Sequence, residues 1–88
     1  MQIFIDDDQG YRRWLHENPT GFVANADRPP NPSTLRLHRA SCRTISGEPA
    51  RGRAWTATST KTCGTRHELE AWASAVVGGR LSPCPTCL

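Results

Sequence analysis

Four cysteines and three histidines carry most of the chemistry this 88-residue chain can offer, and their spacing sorts them. His38 and Cys42 form an H-x3-C pair in "LHRASCRTI", and Cys84 and Cys87 form a C-x2-C pair in the terminal "PCPTCL". Two close pairs drawn from distant segments are what a tetrahedral metal site needs, because each pair spans one edge of the tetrahedron with little backbone strain. Zn2+ suits such Cys and His donors, so the expected set is His38, Cys42, Cys84 and Cys87. Cys63 offers a rival set in which Cys42, Cys63, Cys84 and Cys87 give four thiolates and His38 stands aside. If it is not a ligand, Cys63 reads either as a small buried apolar residue or as a thiol acidified by a helix N-terminus beside Lys61 and Arg66. His16 and His67 have no partner at ligand spacing and are expected in solvent.

Other catalytic patterns are missing. Asp6, Asp7 and Asp8 could be imagined on Mg2+, but a consecutive acidic run at a strand end alternates in direction and reads as a cap or a solvated turn. The chain shows no paired carboxylates at helical spacing, no Ser-His-Asp set and no Gly-rich phosphate loop. A catalytic zinc also keeps one position open, whereas two complete ligand pairs close the site. The expectation is therefore a non-catalytic domain.

Charge is segregated. Residues 36–66 contain Arg36, Arg39, Arg43, Arg51, Arg53, Lys61 and Arg66 against Glu48 alone, so this middle carries +6 of a chain whose net charge is +3, and the remainder carries −3. Such a segment attracts phosphate backbones. Arg39, Arg43, Arg51, Arg53 and Lys61 are the expected contacts to DNA or RNA, with Trp55 either stacking on a base or filling a core. The alternative is an adaptor that binds another protein, its zinc serving only the fold.

The elements that must hold these residues can be read in outline. "QIFI" is a short strand ended by charge, and Asp8 could cap a helix over 9–17, where Tyr11, Trp14 and Leu15 fall on one face until Asn18-Pro19 stops it. "GFVAN" is a strand and "DRPPNPS" a loop. "TLRLHRA" alternates Leu35 and Leu37 inward against Arg36 and His38 outward, and "RAWTATSTKTC" suits a strand pairing with it as a hairpin across a flexible "GEPARG". In "TRHELEAWASAVVGG", Thr65 and Glu68 have capping-box spacing. Leu69, Trp72, Ala73 and Val76 form an apolar stripe there, and Gly78-Gly79 ends the helix. The fold class is thus α+β: a small antiparallel sheet of segments near 3–6, 21–25, 34–39 and 54–61, two helices near 9–17 and 66–77, and a zinc-stapled C-terminus, all in one domain over residues 1–88. Trp14, Leu15, Phe22, Leu37, Trp55, Leu69, Trp72 and Val76 should be mostly buried.

No window reaches the ~18 apolar residues of a membrane helix, and "MQIFIDDDQG" lacks the basic start and apolar run of a signal peptide. A cytoplasmic location follows as the expectation, and in that reducing compartment a C-x2-C pair points to metal over disulfide.

The order "LHRASCRTI", a further strand, "HELEAWASAVVGG" and then "PCPTC" resembles the zinc domain of the Ada-type methyl-phosphotriester repair family, over residues 34–88. The family pattern is C-x3-C or H-x3-C, strand, helix, a Gly-containing turn and P-C-x2-C. The resemblance implies zinc at the four positions and, beyond it, DNA or RNA contact. In the repair domain the first Cys of the C-x3-C pair is both zinc ligand and methyl acceptor, and here His38 stands in that place. Imidazole can hold a metal but cannot attack a methyl phosphotriester as a thiolate does, so the resemblance does not extend to methyl transfer.

Overall fold

The computed structural model describes residues 1–46, 55–57 and 59–88. Five strands form one sheet: β1 (Gln2–Phe4), β2 (Phe22–Ala26), β3 (Arg36–Arg39), β4 (Thr60–Gly64) and β5 (Ser82–Pro83). Their order is β1-β4-β2-β3-β5, and every pairing is antiparallel except the parallel β3/β5 pair. Helices α1 (Asp8–Glu17) and α3 (Arg66–Trp72) and the single turn α2 (Arg43–Ser46) complete the α+β fold. No helix among the described residues is long and apolar enough to cross a membrane.

Side chains alternate across a strand, so each of the central strands feeds two cores. Phe4, Val23 and Cys63 lie in one core with Tyr11 of α1, Ile45 of α2, Cys42 and Cys84. Ala24, Leu35 and Leu37 lie in the other with Leu69, Trp72 and Ala73. Covering both faces explains one departure from the strand pattern. His38 points away from Leu37 as its alternation requires, yet it is buried, because the face it joins is roofed as well.

Strand pairing also differs from the expected hairpin of 34–39 with 54–61. β3 pairs with β2, from Phe22↔Arg39 to Asn25↔Arg36, while β4 inserts between β1 and β2. Trp55 and Thr56 stay outside the ladder because one carboxylate occupies their amides: Asp8 accepts from Trp55 N at 3.2 Å, from Thr56 N at 2.8 Å and from Thr56 Oγ1 at 2.6 Å. Asp8 is therefore not the cap of α1. Asp7 fills that role, accepting from Gly10 N at 2.9 Å, an orphan donor of the first turn.

Helix α3 starts as its spacing requires. Thr65 Oγ1 accepts from Glu68 N at 3.1 Å and Glu68 Oε1 accepts from Thr65 N at 2.9 Å. From Ala73 to Val77 the helix widens into a π-type turn, and Gly78 N donates to Ala73 O at 2.8 Å, five residues back. A wider turn rotates the later residues off an α-helical stripe. Val76 is consequently 72% exposed, against the expectation of a core position, and Val77 takes its place against Leu69 and Trp72. Leu37, Leu69 and Trp72 are buried as expected, and Trp14, Leu15, Phe22 and Trp55 are partly buried against the two cores.

Gly78 closes α3 at φ 82°, the left-handed region glycine enters freely. Gly79 is needed for another reason: a Cβ there would lie 2.3 Å from the carbonyl oxygen of Pro32. That close approach lets the chain turn in beside β3, where Ser82 N donates to Leu35 O at 3.0 Å and Cys84 N donates to Leu37 O at 2.8 Å.

Candidate metal centre

The parallel β3/β5 register, Arg36↔Ser82 and Leu37↔Pro83, sets Cys84 alongside His38. The chain leaves β3 through a turn in which Cys42 N donates to Arg39 O at 2.9 Å, and this carries Cys42 back over the end of the same strand. At the C-terminus, Leu88 N donates to Cys84 O at 2.8 Å, curling Cys87 round to the same point. The ligand atoms of His38, Cys42, Cys84 and Cys87 all lie within 4.8 Å of one another. Among the described residues, this is the group of Cys, His, Asp or Glu side chains close enough to share an ion.

The spacing fits a tetrahedral centre. Two thiolates on one ion at ~2.3 Å stand ~3.8 Å apart, and Cys42 Sγ and Cys84 Sγ are 4.0 Å apart. His38, Cys42 and Cys84 are buried and Cys87, in the C-terminal turn, is half-buried.

The surroundings favour thiolate and neutral imidazole. Cys87 Sγ accepts from Arg39 N at 3.3 Å and Cys84 Sγ accepts from Thr86 N at 3.4 Å, the amide-to-sulfur bonds that orient ligands and stabilise negative sulfur. Burial works to raise the Cys84 pKa, but the amides of Thr86 and Cys87 outweigh it and bring the thiol down to about 7. Burial raises Cys87 to about 11, helped by the neighbouring thiols of Cys84 and Cys42, because adjacent thiolates repel. A divalent cation among the three sulfurs reverses that repulsion. Burial lowers His38 to about 4, with the positive charges of Lys61 and Arg36 adding to the effect, so at neutral pH its ring is uncharged and able to ligate.

Thr44 was not legible as part of this site. Its hydroxyl lies 3.0 Å from Cys42 Sγ and 3.3 Å from His38 Nδ1, bridging the first ligand pair from inside α2. A threonine two residues past a cysteine carries no distinguishing signal. The same holds for the amides of Arg39 and Thr86, which donate whatever side chain they bear.

Cys63 lies elsewhere. It and His38 both pair with Val23, one on each side of β2, so they share a face about 9–10 Å apart, two strand spacings. It is fully buried in the core, and burial lifts its thiol to about 12, the small-apolar reading and not the nucleophilic one. The three aspartates do not converge: Asp6 pairs with Arg28 at 3.0 Å, Asp7 caps α1 and Asp8 holds the 55–56 amides.

The expected nucleic-acid residues divide. Arg39 and Arg43 are exposed beside the candidate metal centre, and Arg39 Nε also donates to Cys87 O at 3.0 Å. Lys61 is only 5% exposed, and its ammonium donates to Asn25 Oδ1 and, at 2.6 Å, to Ser59 Oγ. Burial lowers it to about 8. It is a core polar residue, two positions before Cys63 and so on the same face of β4. Arg51 and Arg53 lie outside the described residues. Trp55 is half-buried against the α1 core, with the Arg12 guanidinium 4.9 Å from its ring centroid.

No protein-family profile, curated protein or solved structure matches this chain. Of the expected resemblance to the Ada-type zinc domain, the structure shows only the clustering of His38, Cys42, Cys84 and Cys87.

Proposed function

We propose that the chain is a non-catalytic binding module whose fold is stapled by one Zn2+ on His38, Cys42, Cys84 and Cys87, and whose partner is nucleic acid. The observation that carries the metal is the convergence of four soft and borderline donors within 4.8 Å, two of the sulfurs already receiving backbone N–H bonds. Three Cys and one His in a tetrahedral, mostly buried set suit zinc above harder cations, which prefer oxygen. Four protein ligands fill the tetrahedron and leave no place for an activated water, which supports a structural role. Nucleic acid follows from charge: Arg39 and Arg43 stand exposed at the rim of the centre in a chain whose middle is strongly basic.

Metal analysis of protein purified without added metal tests the first part, with one zinc per chain expected. Replacement by Co2+ should give the visible absorption of a tetrahedral thiolate site. A metal-free protein with an unchanged fold would overturn this reading. The adaptor alternative draws on a different observation, the exposed apolar row of Met1, Ile3, Ile5 and Val76 near the open edge of β1. Oligonucleotide titration separates the two, since only a nucleic-acid module shows binding that weakens steeply with salt.

A further inference from the structure

Helix α1 and the turn that follows β3 flank an open cleft of about 570 Å³. One wall is α1, with Arg12, Arg13, Leu15 and His16, and the other carries Ala40 and Ser46. Among the described residues, its lining contains two arginines and a histidine and no carboxylate. Among the described residues, Arg28 and Arg66 each take a carboxylate partner, Asp6 and Glu70, whereas no ion pair involves Arg12, Arg13, Arg39 or Arg43. Arg12 is also held in place by the Trp55 ring, which limits the side-chain entropy given up when the guanidinium binds.

We propose that this cleft is a phosphodiester-binding site: Arg12 and Arg13 hold backbone phosphates at its rim, and Leu15 and Ala40 form an apolar floor for the attached nucleoside. The proposal rests on the nucleic-acid reading above for its class of partner and adds the location, between α1 and the turn that follows β3. Guanidinium groups are suited to the role because their fork of donors matches phosphate oxygens. The cleft is far larger than one inorganic phosphate and has the size of a small-ligand site. An apolar floor beneath a cationic rim matches a nucleotide unit, where ring faces and phosphates present opposite characters. Arg39, at the end of β3, and Arg43, at the start of α2, flank the turn that forms the second wall and extend the positive surface toward the candidate metal centre.

The test is titration of a fluorescently labelled single-stranded oligonucleotide of about 16 nucleotides, with salt varied between about 50 and 200 mM. The double variant Arg12→Gln/Arg13→Gln should weaken binding by about tenfold for each phosphate no longer neutralised and reduce the slope of log K against log salt by about two. The charge-matched control Arg66→Gln/Arg80→Gln, on the α3 side, should leave both unchanged. Metal content and melting temperature of all variants should equal those of the parent. Inorganic phosphate at the ionic strength of the control salt should compete no better than that salt, since the site takes a nucleotide and not a bare anion. Equal weakening in the two double variants would overturn the site and leave only net charge. Binding retained in Arg12→Gln/Arg13→Gln but abolished in Arg39→Gln/Arg43→Gln would overturn the cleft while keeping the nucleic-acid reading, and no binding at low salt would overturn both.

Discussion

His38 and Cys63 face the same side of the sheet from opposite neighbours of Val23, and this small difference in position separates a member of the four-donor cluster from a core residue. Replacing Cys63 with Ala should cost about 1 kcal/mol, as for other small core truncations, and leave metal content unchanged. Replacing Cys87 with Ser should abolish stoichiometric metal binding, which elemental analysis reads directly; retention of metal by Cys87→Ser and its loss from Cys63→Ala would reverse the assignment. His38 also predicts a pH dependence. Its folded pKa lies near 4, below the ordinary 6.5, so the unfolded chain takes up the proton first as pH falls. Stability contributed by the neutral ring is present above about pH 6.5 and is lost as pH falls toward 4. Proton competition at the three sulfurs acts in the same direction. Chemical denaturation at pH 7.5, 6 and 5 should give midpoints that fall in that order, and a flat series would contradict the burial of His38.

At the scale of elements, the centre depends on β5, a strand of two residues that only its neighbours hold. Gly79 sits where any side chain would strike the backbone of Pro32, so Gly79→Ala should push the C-terminal segment away from β3. The expected cost is about 1–3 kcal/mol, together with weaker metal affinity in a chelator competition; Gly78→Ala, where no atom crowds the Cβ but φ is 82°, should destabilise with less effect on the metal. β5 itself could not be read from the chain, because two residues ending in Pro carry no periodicity. Elements with local signals were legible: Thr65 and Glu68 marked the start of α3, and Tyr11, Trp14 and Leu15 marked the inward side of α1. The two pairs that converge were legible for the same reason, since close H-x3-C and C-x2-C spacing is a local property. What failed was decided by distant partners. Asp8 was drawn away from capping by amides 47 and 48 residues along the chain. β3 found β2 in place of the segment after α2, and the widened turn at Ala73 moved Val76 into solvent.

For the whole molecule, an ion held by the four converging donors would join the turn after β3 to the C-terminus. Structural zinc contributes ~10–16 kcal/mol of apparent binding free energy in small peptides, against ~5–15 kcal/mol of net stability for a domain. Chelation should therefore collapse the dispersed amide spectrum, beginning with residues of β5 and α2, and added Zn2+ should restore it. A spectrum unchanged by a strong chelator would show that the two cores suffice without the ion.

The strand order has a mechanical consequence. β1 and β5 occupy opposite margins of the sheet, so tension applied between the two ends of the chain loads both margins at once. β1 is held by three residue pairs with β4 and can peel away one rung at a time. β5 runs directly into Cys84, so with the proposed Zn2+ bound it would be anchored by coordinate bonds and its parallel pairing with β3 would be loaded through the ion. In a force-clamp experiment the N-terminal margin should yield first at low force, and the C-terminal margin should hold until a metal–sulfur bond ruptures.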